Sequence, residues 1–183
     1  LGYLPPREDA HADPVAPGLE ARRSCPSGGG LNACEGFVLA QNVSGLEPGI
    51  YAYHPAEHAL SRINALPDPE LGQLLGGQHF INNLPLGLFI TARFDRLWWK
   101  YEHSRAYRMA FVEAGHLSQT FQLVATALGL NTWLTGAFAD QQVEVLLNLE
   151  GSAEQPLFFV GCGESDGQVM CHEMRELLRE GQA

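Results

Sequence analysis

Residues 84–92, Leu-Pro-Leu-Gly-Leu-Phe-Ile-Thr-Ala, run almost without a polar side chain. Such a run predicts a strand covered on both faces. The pattern then changes period. Ala106, Ala110, Ala114, Leu117, Phe121, Ala125 and Leu128 recur at helical spacing. They predict one long helix over about 104–128, with a single apolar face and a stop at Gly129. Upstream, 37–40 and 50–53 read as two strands of a hairpin, joined by the turn residues Gly45-Leu46-Glu47-Pro48-Gly49. His54-Pro55 ends the second strand, and 59–63 reads as a further short one. A helix is predicted over 68–75, and a short strand over 132–134. Asp140 is placed to cap a helix running through Leu147. Residues 156–160 predict a last buried strand, and 173–179 a short terminal helix. No internal repeat is present. The sum is an α+β protein: a mostly antiparallel sheet packed with one dominant central helix.

The chain has 183 residues, 45% of them hydrophobic, enough for a real core. Residues 1–20 read as an irregular, Pro- and Ala-rich lead-in, and 21–183 as the folded domain. With 21 acidic and 11 basic side chains, the formal charge is −10. That argues against a nucleic-acid or anionic-membrane partner, which needs concentrated Lys and Arg. No apolar run approaches the ~18 residues of a membrane span. Residues 1–9 lack the pattern of a signal peptide, so the expected location is cytoplasmic. Four cysteines without CxxC spacing are expected to be reduced thiols. Cys162, Cys171 and His172 lack an evident fourth ligand, so no metal is expected.

Candidate chemistry gathers at three places. Lys100-Tyr101 stands directly in front of the long helix. Both side-chain types ordinarily titrate near ~10, so each needs its surroundings to move protons near neutral pH. Taken alone, such a pair is surface decoration; its neighbours decide. The second place is Arg22-Arg23-Ser24-Cys25-Pro26-Ser27-Gly28-Gly29-Gly30. Its glycines let backbone N–H groups approach a ligand, and its arginines bring positive charge; the alternative is a flexible loop. It is neither a Walker loop nor a Rossmann fingerprint. The third is Thr135-Gly136-Ala137-Phe138, a small-residue turn that either passes beneath a flat ligand or simply joins strand to helix. On the long helix, Ala110, Ala114, Gly115 and Ser118 permit either a dimer seam or tight core packing. Glu113 and His116 are spaced to meet each other. Trp98 and Trp99 read as core or interface anchors.

In this order, the glycine loop, Leu46-Glu47-Pro48-Gly49-Ile50-Tyr51, Lys100-Tyr101, Arg105-Ala106-Tyr107-Arg108, Glu113-Ala114-Gly115-His116-Leu117, Ala127-Leu128-Gly129-Leu130 and Thr135-Gly136-Ala137-Phe138 resemble the SagB/McbC-type dehydrogenases of the nitroreductase superfamily. The resemblance covers roughly residues 21–161. These are FMN-dependent azoline oxidases of thiazole/oxazole-modified peptide biosynthesis. The resemblance implies a nitroreductase-like FMN-binding domain over 21–183, forming a homodimer with FMN at the interface. It implies a cyclodehydratase and a precursor peptide as partners. Lys100 and Tyr101 would remove the azoline proton, in either assignment of roles. Ser27, Gly28, Gly29, Gly136 and Ala137 would line the cofactor, with phosphate contacts from Arg22, Arg23, Arg105 or a partner chain. Two departures accompany it. The N-terminal helical element that usually carries an Arg-Arg-Ser motif is missing ahead of Arg22. Gly161-Cys162-Gly163-Glu164 stands where relatives place a phosphate-binding arginine. A general flavin nitroreductase using NAD(P)H, or a non-catalytic scaffold subunit that has lost flavin, are the alternatives.

Overall fold

The computed structural model describes residues 3–4, 22–164 and 179. A two-residue strand β1 (Tyr3–Leu4) pairs with β2 (Arg22–Arg23). The main sheet holds β3 (Cys34–Ala40), β4 (Gly49–His54), β5 (Ala59–Asn64), β6 (Leu86–Arg93), β7 (Asn131–Thr135) and β8 (Glu154–Gly163). Its order is β5-β4-β3-β6-β8-β7, with every neighbouring pair antiparallel. Among the described residues the helices are α1 (Leu71–Leu74), α2 (Phe94–Lys100), α3 (Tyr107–Ala127) and α4 (Asp140–Leu146).

β6 explains the apolar run seen in the sequence. Leu88, Ile90 and Ala92 point into a core shared with α2 and α3. Phe89, between them, points into a second core with Leu71, Leu74, Val143 and Leu146 from α1 and α4. Alternation therefore buries apolar groups on both faces, each fully buried large side chain contributing roughly 1.5–3 kcal/mol. Gly87 and Gly161 stand opposite each other where β6 pairs with β8. A Cβ on Gly87 would lie 2.3 Å from the Phe159 ring, and one on Gly161 2.3 Å from Leu84 Cδ2.

The long helix ends as its sequence predicts. Gly129 has φ +80°, its N–H donates to the Thr126 carbonyl (3.0 Å), and Leu130 N–H donates to the Ala125 carbonyl (2.9 Å). This is a Schellman cap, which satisfies carbonyls the helix leaves open. Several expectations shift. Leu128 lies outside the buried stripe, 73% exposed. Asp140 is the first residue of α4 and makes no capping bond. Helix α2 has no counterpart among the elements the sequence predicts, and the predicted 68–75 helix shrinks to one turn. The terminal helix expected over 173–179 lies, Arg179 apart, outside the described residues, as do Cys171, His172 and the region ahead of Arg22 except Tyr3–Leu4. Among the described residues no helix is long and apolar enough to cross a membrane.

Candidate active site

The glycine loop is a tight turn over Gly28–Gly30, closed by Gly30 N–H to the Ser27 carbonyl (3.2 Å) and Leu31 N–H to the Gly28 carbonyl (3.3 Å). Gly29 has φ +62°, a conformation that costs an L side chain about 1–2 kcal/mol. Cys25 before the turn and Leu31 after it are buried in the α3-side core. The ends are therefore anchored while Gly29 and Gly30 face outward.

Helix α3 holds this turn from beneath. Glu113 is only 4% exposed. Its Oε2 accepts from the Ser27 hydroxyl (2.7 Å) and from Gly28 N–H (3.3 Å), and its Oε1 accepts from Cys34 N–H (3.0 Å). Three donors offset the cost of burying the carboxylate. Helical spacing pairs Glu113 with His116. The structure sends Glu113 inward to the loop and leaves His116 exposed. The signal for this was a carboxylate beside the small buried residues Ala110 and Ala114. Those two, with Ser118, lie against the sheet, so that face is core packing; Gly115 faces out.

A second clamp grips the outgoing strand. Glu35 bridges Arg23 Nη2 (3.0 Å) and Arg96 Nη1 (2.5 Å). Arg96 also donates to the Asn32 carbonyl (2.6 Å), and Arg23 to the Cys34 carbonyl. Arg23 thus lies beside the loop with its guanidinium on Glu35. Burial, and then the charge of Glu113, push the Cys34 thiol far above its usual range, with Arg23 partly opposing.

Lys100 closes α2 and Tyr101 follows it, so both reach back over the loop. Lys100 Nζ donates to the Gly29 carbonyl (3.1 Å). A Cβ on Gly29 would meet Tyr101 Oη at 2.3 Å and Lys100 Nζ at 3.1 Å. The phenol and ammonium therefore converge on the same glycine, Lys100 exposed and Tyr101 half-buried. On the α3 side of the loop a cleft of about 130 Å³ opens, lined by Pro26, Ser27, Gly28, Met109, Val112, Glu113 and His116.

Gly136 and Ala137 lie elsewhere, at the end of the edge strand β7. Ala137 N–H donates to Thr135 Oγ1 (2.9 Å), which also accepts from Gln78 (3.1 Å). Both residues are exposed, and no hydrogen bond among the described residues joins them to the glycine loop. Trp98 and Trp99 are surface residues, 54% and 66% exposed, Trp98 stacked on Phe94.

The nitroreductase family model matches residues 11–164. MJ1384 of Methanocaldococcus jannaschii, a protein named for the nitroreductases, is 34% identical over 145 residues, covering 77% of this chain and 70% of its own. The microcin B17-processing protein McbC of Escherichia coli is 31% identical over 142 residues, covering 74% of this chain and 52% of McbC. The solved E. coli microcin synthetase McbBCD complex with truncated pro-MccB17 contains a chain that matches with a TM-score of 0.70 and 30% identity, over 79% of this chain and 56% of that one. This chain thus spans about half the length of McbC. It belongs to the nitroreductase family.

Proposed function

We propose that this chain is an FMN-dependent oxidoreductase that oxidises peptide thiazolines or oxazolines to azoles during maturation of a ribosomal peptide. The observation that carries the reading is the convergence of Lys100 and Tyr101 on Gly29, within the loop expected to meet the cofactor. Likeness to the microcin B17-processing protein supports the choice of substrate class.

The residues present suit FMN. The surface of the cleft is mostly apolar, as a flat ring requires. Arg105 and Arg108 follow Tyr101 in the chain, are exposed and form no ion pair among the described residues, which leaves them for a phosphate. Arg23, fixed on Glu35, orders the strand behind the loop. A cleft of about 130 Å³ accommodates only part of such a ligand in one chain. Its remainder is supplied by a second copy, whose Gly136-Ala137 turn completes the lining. The exposed Trp98, Trp99, Tyr107, Phe111 and Val112 form the apolar face that this homodimer covers. A cyclodehydratase and the precursor peptide complete the assembly in the cytoplasm.

Aromatisation of an azoline removes one proton and one hydride. FMN, when bound, supplies the sink for the hydride. Tyr101 and Lys100 take the proton, one as base and the other holding it in place. The Gly29 carbonyl orients Lys100, so the ammonium stays beside the phenol, and Lys100 Nζ lies 5.8 Å from the centre of the Tyr101 ring.

The first test is the absorption of the purified protein from 300 to 550 nm, with the released chromophore identified by mass. FMN near one per chain is expected, with a band near ~450 nm, because the cofactor carries the redox chemistry. Lys100→Ala and Tyr101→Phe should keep FMN and lose azole formation by roughly 10²-fold or more, the usual worth of general acid–base catalysis. Undiminished azole formation in both would sink the assigned roles. A second reading, a general nitroreductase using NAD(P)H, draws on the 70% coverage of MJ1384. It predicts nitroarene reduction that survives loss of the pair.

A further inference from the structure

Glu113 sits below the proposed catalytic pair and touches neither of them. Its two oxygens are occupied by three donors, two of them from the loop itself. The direction of each bond is fixed, because a carboxylate only accepts and a backbone N–H only donates. The Ser27 hydroxyl must therefore point its proton at Glu113. The same oxygen accepts Asn32 N–H at 2.8 Å. A hydroxyl has one proton and two lone pairs. One lone pair is left, and Ser27 lines the cleft.

We propose that Glu113 is the positioning residue of this site. It sets the polarity of Ser27, so that Ser27 offers the cleft an acceptor and never a donor. The bound group facing Ser27 must then be an N–H or O–H. The same carboxylate fixes the Gly28 and Cys34 amides, and so the height of Gly29 beneath Tyr101. A Gln in its place keeps the shape but turns one oxygen into a donor. That donor faces at least one N–H or O–H already aimed at it, and the three-donor arrangement is lost.

The polarity argument rests on the proposed flavin site; the loop argument does not, and the test separates them. Amide hydrogen exchange on the cofactor-free chain is compared for wild type, Glu113→Gln and Ser27→Ala. Exchange at Gly28 or Cys34 should quicken at least tenfold in Glu113→Gln, with β6 and β8 unchanged. Ser27→Ala should quicken Asn32 alone. Unchanged exchange at all three amides overturns the positioning role. Should Glu113→Gln fail to fold, Ser27→Ala decides the matter by whether Asn32 is released while Gly28 stays protected.

FMN titration of wild type, both single variants and the double variant forms the second arm. Each single variant should weaken binding at least tenfold. The double should be no weaker than the worse single, because both act through one hydroxyl. Additive losses overturn the claim that Glu113 acts through Ser27. Wild type that binds no FMN defeats the flavin reading and with it the polarity claim, while the exchange result still stands for the loop.

Discussion

Cys34 shows how one residue of the site answers to its neighbours. Its side chain is fully buried, and its Sγ lies 3.6 Å from the Ala110 carbonyl, to which it donates. Burial first and the nearby Glu113 charge second keep this thiol neutral well above its ordinary range. A thiol raised on folding binds its proton more tightly in the native state. Its contribution to stability is complete below the unfolded thiol's pKa, about 8.5, and is lost as pH rises from there toward the folded value. The urea midpoint should fall between pH 8 and 10 more steeply in wild type than in Cys34→Ala. Parallel slopes would show that this thiol is not coupled to folding. At this scale the sequence singled out Gly29, Lys100 and Tyr101, and the structure sets these three side by side; their part in a reaction belongs to the proposal above. Glu113 escaped because helical spacing offered His116 as a nearer partner. Only the pairing of β3 with β6 brings Cys34 to the helix.

Helix α3 buries one apolar stripe and leaves further apolar side chains exposed around its circumference. Ala110, Ala114, Leu117 and Ala125 meet the sheet, as their spacing predicts. Tyr107, Phe111, Val112, Leu123 and Val124 stay exposed, and of these Tyr107 and Phe111 stand together, their rings in edge contact. Helix α2 was missed for a related reason. Only Phe94 and Leu97 of its seven residues are buried, and two exposed tryptophans obscure the period. The strands were legible because β-branched and aromatic runs ended at clear turn residues. The separation of Gly136 from the glycine loop was not, since local sequence carries no information on which sheet edge a turn occupies. On the dimer reading, Phe111→Glu sets a charge into the covered face. Light scattering should then report half the native mass, with FMN lost in parallel. A variant that keeps both mass and flavin would place the dimer contact elsewhere.

For the whole molecule, ligand binding and association act on the same stability. A ligand at a hundredfold excess over its Kd adds about 2.7 kcal/mol to the folded state. For a domain of this size that corresponds to roughly 5–10 °C in Tm. The Tm should therefore rise with added FMN by about that amount, and rise again with protein concentration if the site needs two chains. A Tm indifferent to both counts against a flavin shared between protomers. The −10 charge opposes close approach of two copies, so the concentration effect should strengthen with salt.

The facing glycines of β6 and β8 act as a keyed joint. Phe159 fits only where Gly87 has no side chain, and Leu84 only where Gly161 has none. A slip of one residue would drive the ring and the leucine into occupied positions and turn the apolar sets toward the wrong faces. The native register of β6 on β8 is thus the one these close contacts allow. β3 is laid down against β6 in turn, with Cys34 opposite Ala92. Two missing methyl groups at one end of the sheet therefore proofread the placement of the loop at the other.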